Sequence, residues 1–128
     1  MTAVSPSFVP GFALQDGTQL QALVNAIMSS ASGLVATGST QAAAYQITTA
    51  NAQFTTGAAA GAQLPPSSFL GQRVFVRNDS GQNLTVYPAL VDGAAATIDG
   101  GATFVLATGK AAMFLLDATG TWVSLKGA

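Results

Sequence analysis

The pattern of apolar and polar positions predicts a β-domain in the second half of the chain. After Pro66, short β-prone runs recur at regular intervals, and the segments between them are rich in Asp, Asn and Gly. These residues suit turns, because they accept a positive φ or cap the turn backbone. The spacing therefore predicts a small antiparallel β-sandwich or barrel over residues 67–128. The five runs are residues 73–77, 84–87, 103–106, 113–116 and 122–125.

Residues 1–14 have a different pattern, which predicts an extended N-terminal arm. Pro6 and Pro10 stand between apolar residues, so the segment cannot be helical, and it lacks the clean alternation of a strand. Large apolar side chains on such a segment need burial against something else. Two interpretations are open: the arm folds back on its own core, or it lies across a neighbouring subunit. The residues concerned are Phe8, Val9, Pro10 and Phe12.

Residues 15–33 are predicted to contain one α-helix. Asp16 with Gln19 three residues later fits an N-terminal cap, and the helix should run from about Thr18 to Ser30 and stop near Gly33. Its apolar stripe either packs in the core or contacts symmetry mates. The stripe consists of Leu20, Leu23, Val24, Ile27 and Met28.

Residues 34–66 complete the predicted organisation as a segment rich in Ala, Thr and Gly. Short alternating pieces indicate strands without clear bounds, and Pro65-Pro66 closes the segment as a linker, since tandem prolines fit neither a helix interior nor a central strand. The expected fold is therefore mainly β, with an extended arm and one α-helix before an antiparallel sandwich or barrel.

Composition argues against catalysis. The chain has no Glu, His or Cys, the residue types on which general acid and base catalysis, thiol nucleophiles and most metal cages depend. The aspartates at 79, 92, 99 and 117 fall in predicted turns, where they would bond their own backbone, and Asp16 is the predicted helix cap. We therefore expect no enzyme activity, no cofactor and no metal site.

Charge and hydropathy restrict the partners. Only 7% of residues are charged and the net charge is −1, which gives no basic stripe for nucleic acid. No apolar run reaches the roughly 18 residues of a membrane helix. Because 49% of residues are hydrophobic, we expect other subunits to cover part of the surface.

Three aromatic residues allow a competing hypothesis. Tyr45, Tyr87 and Trp122 could form a platform for sugars, since aromatic faces stack on the apolar faces of a ligand. Packing in the core or at a subunit interface is the more common role. Tyr87 and Trp122 are therefore predicted, with Leu20, Leu23 and Ile27, as oligomer-interface residues.

The second half also resembles a β-domain of tailed-bacteriophage structural proteins, the head fibre, decoration or cement proteins. The resemblance covers roughly residues 69–125 and consists of a turn pattern, a Val-Tyr-Pro strand end at 86–88 and a late tryptophan, Trp122. It rests on residues 72–88, 98–102, 109–114 and 119–122.

This resemblance implies a homotrimer on the outer surface of the virion capsid, made in the host bacterial cytoplasm and bound to the major capsid protein of the same phage. The arm residues Phe8, Val9, Pro10 and Phe12 would then contact the capsid. A capsid decoration protein that stabilises the mature head is the expected function. The alternative is a receptor- or glycan-binding module of a phage tail or head fibre, which would expose aromatic residues at its solvent end.

Overall fold

The described part of the chain forms ten β-strands in two sheets. A computed structural model describes residues 29–57 and 60–126. Sheet A has six strands in the order β1-β3-β5-β9-β10-β7, and sheet B has four in the order β2-β4-β6-β8. The strands are β1 Ser30–Val35, β2 Tyr45–Gln46, β3 Asn51–Thr56, β4 Gly61–Gln63, β5 Arg73–Asn78, β6 Leu84–Tyr87, β7 Thr97–Ile98, β8 Phe104–Leu106, β9 Lys110–Ala118 and β10 Thr121–Lys126.

The first six strands alternate between the sheets. β1, β3 and β5 are parallel neighbours in sheet A, and β2, β4 and β6 are parallel neighbours in sheet B. Each passage from sheet A to sheet B and back thus returns the chain to its original direction, one strand further along. The result is a solenoid-like stack of three two-strand layers.

The last strands add antiparallel partners to this stack. β8 pairs with β6, β9 pairs with β5, and β10 forms a hairpin with β9. β7 closes the far edge of sheet A as a parallel neighbour of β10. Sheet A therefore contains both parallel and antiparallel pairs.

The inner faces of both sheets form one core. In β5 the residues alternate between exposed and buried, with Val74 and Val76 directed inward. Trp122 is 0% exposed at the centre, and the rings of Phe104 and Phe114 pack edge to face with centroids 5.1 Å apart. Inward side chains from the β segment 34–66 share this core with those of 67–128, including Ile47, Phe54, Ala62 and Leu64.

The mainly β prediction is confirmed, but its antiparallel form holds only for the later strands. Alternation of apolar and polar residues has the same period in parallel and antiparallel strands, so the pattern could not reveal the parallel stacking. Residues 30–33, predicted as the end of the helix, lie in β1. The arm and residues 15–28 of the predicted helix lie outside the described residues.

The chain itself covers part of the outer face of sheet B, over β4 and the end of β6. Thr37 pairs with Gly61, and the Tyr87 hydroxyl donates to the Ser39 carbonyl. The buried amide of Gln63 donates to the Gln41 carbonyl at 2.8 Å. We call residues 37–44, which make these contacts, the closing segment.

Candidate interaction surface

The outer face of sheet A carries an exposed apolar surface. Phe75 is 40% exposed and Leu125 is 72% exposed, although both lie in regular strands. Together with their outward neighbours they form what we call the apolar face. Its residues are Phe75 on β5, Met113 and Leu115 on β9, and Val123 and Leu125 on β10.

Strand register places these five side chains together. Met113 is opposite Phe75 on one side and Leu125 on the other, and Leu115 is opposite Val123. Side chains opposite one another in adjacent strands have Cβ atoms about 4.5 to 5.5 Å apart. The face is therefore continuous over three strands.

Strand β9 produces this surface because it is apolar on both sides. Ala112, Phe114 and Leu116 are buried in the core, whereas Met113 and Leu115 between them point outward and are partly exposed. A continuous apolar run is typical of a strand buried on both faces. Shallow depressions between the outward side chains include one of about 440 Å³ lined by Met113, Leu115, Val123 and Leu125, with Arg73 and Ser124 at its margin.

The other half of the outer face of sheet A is polar. The Arg77 Nε and the Gln53 Nε2 both donate to the Asp79 Oδ2, each at 2.7 Å. The hydrogen bond from Arg77 is the main cause that lowers the pKa of Asp79, and the bond from Gln53 acts in the same direction. The same hydrogen bond with Asp79 raises the pKa of Arg77. One carboxylate therefore holds two side chains from neighbouring strands.

The structure separates the residues that the sequence grouped as interface candidates. Trp122 is wholly buried, so the prediction of an interface role is corrected: its side chain belongs to the core of its own chain. Tyr87 is half-buried beneath the closing segment, and its interface role stays a prediction. The predicted arm contacts and helix interface lie outside the described residues; they are Phe8, Val9, Pro10, Phe12, Leu20, Leu23 and Ile27.

The three aromatics predicted as a sugar platform are also separated. Trp122 is in the core, the half-buried Tyr45 packs edge to face on Phe54 with centroids 5.5 Å apart, and Tyr87 lies against the residues that cover sheet B. An exposed stacking platform cannot be built from a buried indole. The platform prediction is therefore corrected.

Sequence reasoning missed the apolar face. The available signal was the uninterrupted apolar run of β9 at 111–116, together with the outward apolar residues of β10. The run predicts a strand, but the sequence analysis did not predict that its alternate residues, Met113 and Leu115, form an exposed apolar surface.

The aspartates connect separate segments of the chain. Asp92 accepts hydrogen bonds from the backbone and hydroxyl of Ser67, and Asp99 accepts from the backbone and hydroxyl of Ser124. The turn after β5 is held by Asn78, whose amide oxygen accepts from the Ser80 backbone at 3.0 Å. The prediction that the side chains of Asp92 and Asp99 bond the backbone of their own turns is therefore wrong.

Two other kinds of site are absent from the described residues. No group of three or more Asp, Glu, His or Cys side chains there could hold a metal ion. Within the same ranges, 29–57 and 60–126, no helix has the length and apolar character needed to cross a membrane.

Comparison with known proteins identifies the β-domain. A family model described as the phage depolymerase C-terminal beta sandwich domain matches residues 26–123. Comparison with curated proteins and with solved structures found no match. The matched range includes all ten strands except the last residues of β10. Since it covers most of the 128 residues, the chain belongs to the phage depolymerase C-terminal β-sandwich domain family.

Proposed function

We propose that this protein is a non-enzymatic structural component of a phage virion whose copies associate through the apolar face. The observation that carries the proposal is the set of five apolar side chains directed outward from three adjacent strands of a regular sheet. Soluble monomers rarely leave a contiguous apolar surface of this kind exposed.

Burial of this face would be favourable because apolar surface gains roughly 25 cal/mol for each Å² removed from water. A flat sheet face with alternating outward side chains can pack on another sheet face at about 10 Å, as the two sheets do inside a sandwich. None of the five residues is charged. Arg73 and Lys126 line the depressions beside them, so a covering surface must leave these two cations in water or pair them.

A second copy of this chain is the occupant that we favour. The whole sequence is poor in charge, with four basic and five acidic residues in 128, which is typical of a protein with covered surfaces. Every copy presents the same face, and closed cyclic symmetry is the usual way in which identical chains cover such surfaces. Three copies is the number implied by the resemblance to phage decoration proteins.

The family favours a tail component over the predicted head decoration protein. The family is that of a C-terminal domain of phage depolymerases, and we propose that this chain is likewise a module of a tail spike or fibre. Attachment to the major capsid protein through the arm remains the alternative location. The two locations differ in copy number, because a decoration protein occupies many equivalent shell positions and a tail component only a few.

Two measurements test the proposal. Sedimentation equilibrium of the purified chain should give a multiple of its 12.7 kDa mass, and a stable monomer at micromolar concentration would contradict association. Quantitative mass spectrometry of purified particles should then give few copies of this chain relative to the major shell protein. A copy number comparable with that of the shell protein would instead place it on the head.

A further inference from the structure

We infer that an ion pair between Arg73 of one copy and Asp117 of a neighbouring copy fixes how the apolar faces align. This pairing rests on the association of copies proposed above, and it adds the two residues that select one alignment. Arg73 is the first residue of β5 and Asp117 lies near the end of β9. Both residues are exposed on sheet A.

Arg73 occupies the one charged position in the block of side chains that contains the apolar face. The outward positions form two rows across β5, β9 and β10. The first row is Phe75, Met113 and Leu125, and the second is Arg73, Leu115 and Val123. A copy that covers the five apolar side chains must therefore also cover the Arg73 side chain or lie directly beside it.

Asp117 lies one outward position beyond Leu115 on the same strand. The register of β10 with β9 shifts by one residue between Thr121 and Trp122, so Asp117 has no residue directly opposite it on β10. Bulges of this kind redirect a side chain. The Asp117 carboxylate is therefore exposed at the margin of the apolar face, within reach of a copy that covers this face.

Asp117 is also the one described carboxylate that its own chain leaves unpaired. Those of Asp79, Asp92 and Asp99 each accept at least one hydrogen bond. The Asp117 side chain has no hydrogen bond or ion pair within residues 29–57 and 60–126. It is thus an acid without a partner, beside a surface that we propose to be covered.

Arg73 is in the same position among the basic residues. Arg77 pairs with Asp79, and the Lys126 Nζ lies over the Phe104 ring, 5.4 Å from its centroid. The Arg73 side chain has no hydrogen-bond or ion-pair partner in the described part of the chain. Every copy therefore brings one unpaired cation and one unpaired anion to the same face.

Contact between copies gives both charges a partner. Covering Arg73 with apolar side chains alone would leave a cation without compensation, and a carboxylate at the contact offsets that cost. The planar guanidinium group suits this role, because it can bind both oxygens of a carboxylate. Since every copy carries both groups, the same pair can form at each contact of a closed assembly.

The pair would supply a specificity that the apolar side chains lack. Apolar contact is non-directional, so five apolar side chains on a sheet face permit several offsets between copies. A charge pair favours the one alignment in which opposite charges meet and disfavours those in which like charges meet. Arg73 and Asp117 therefore determine how the copies align, and the apolar side chains supply most of the buried area.

The test is sedimentation equilibrium of the full chain with these charges reversed. Arg73→Asp and Asp117→Arg each set like charges against one another between copies, so each should raise the dissociation constant about tenfold or more. The double variant restores opposite charges and should associate as the unaltered protein does. Lys110→Asp is the control, because it changes the net charge as Arg73→Asp does, but Lys110 lies at the other end of β9 from Asp117.

Mixing the two single variants distinguishes a pair between copies from one within a copy. Arg73→Asp leaves two acidic groups at the face, and Asp117→Arg leaves two basic groups there. Unlike copies should therefore associate at concentrations where either variant alone is a monomer. A mixture that remains monomeric under those conditions would overturn the pairing between copies.

The remaining outcomes separate the ion pair from the association itself. Unchanged dissociation constants for both single variants would overturn the ion pair and leave association through the apolar face intact. A double variant no tighter than either single variant would also overturn the pair. A monomeric unaltered chain would contradict both the proposed function and the pair that rests on it.

Discussion

The outer faces of the two sheets differ in what covers them. On sheet B the closing segment pairs with β4 through Thr37 and Gly61, and the side chains of Gln63 and Tyr87 bond its carbonyl groups. On sheet A the outward residues of β5, β9 and β10 stay partly or largely exposed in the described part of the chain. The chain itself thus covers part of sheet B, over β4 and the end of β6, whereas it leaves the outward apolar residues of sheet A exposed.

The difference lies in the outward residues themselves. The outward Tyr87 of β6 carries a hydroxyl that bonds the closing segment, and Gly61 gives the close approach that this cover needs, since a Cβ there would lie 2.8 Å from the Tyr87 ring. The outward Met113 and Leu115 of β9 carry no polar group that could bond a covering loop. On sheet B the chain's own cover is thus bonded to outward polar groups, whereas the outward residues of β9 offer a covering loop only apolar contacts.

The largest effect is expected from a substitution that disturbs the cover of sheet B. Gly38 has φ 72°, and a Cβ on it would lie 2.5 Å from the Cβ and the carbonyl oxygen of Ala43. Gly38→Ala should therefore lower the free energy of unfolding by about 3 kcal/mol, from backbone strain and overlap together. Chemical denaturation measures this change.

Gly33→Ala on sheet A is the matched control. Gly33 has nearly the same φ, 69°, but a Cβ there would meet nothing within 4 Å. Only the strain remains, so the loss should be about 1 kcal/mol. Equal losses in the two variants would mean that the closing segment yields freely and that sheet B is less firmly covered than we conclude.

A smaller effect concerns the polar half of sheet A. The pKa of Asp79 is lowered by its hydrogen bonds from Arg77 and Gln53, so its contribution to stability is fully present above the ordinary aspartate pKa of about 3.9 and is lost as pH falls through the lowered value. NMR signals of the Gln53 side-chain amide should stay constant from neutral pH to about pH 5 and shift only in stronger acid.

Asp79→Asn is the control. Without a titrating carboxylate at position 79, the Gln53 amide signals should show no such shift over the same pH range. A shift of the Gln53 amide signals near neutral pH would show that Asp79 is not the group that holds them. The apolar face, by contrast, has no titratable side chain, so association should not follow the Asp79 titration.

The sequence predicted the later strands better than their partners. Turn residues and regular spacing predicted strands close to β5, β6, β8, β9 and β10, all of which the structure contains. Period-two alternation carries no information on strand direction, so the parallel pairing of β1, β3 and β5 was missed. The two-residue β2 lies within an alternating piece, residues 45–48, that indicates a strand, whereas the three-residue β4 is too brief for a pattern to be recognised.

The interaction surface was less predictable than the fold for a physical reason. Trp122 and Val123 are adjacent in sequence and both hydrophobic, yet one is wholly buried and the other lies on the apolar face. Which side of β10 faces the core depends on its register with β9, and composition alone does not specify that register. The scarcity of charge correctly suggested covered surface but could not locate it.

Association through the apolar face is the central claim, and the sedimentation mass of Leu125→Lys tests it most directly. Leu125 is 72% exposed, so the variant should fold normally, but a lysine there would place a charge in the buried contact. Val105→Lys is the control, because Val105 is an exposed valine on an edge strand of sheet B. We predict that Leu125→Lys sediments as a monomer at concentrations where Val105→Lys and the unaltered protein are oligomers. An oligomer of unchanged mass for Leu125→Lys, or dissociation by Val105→Lys instead, would contradict the account.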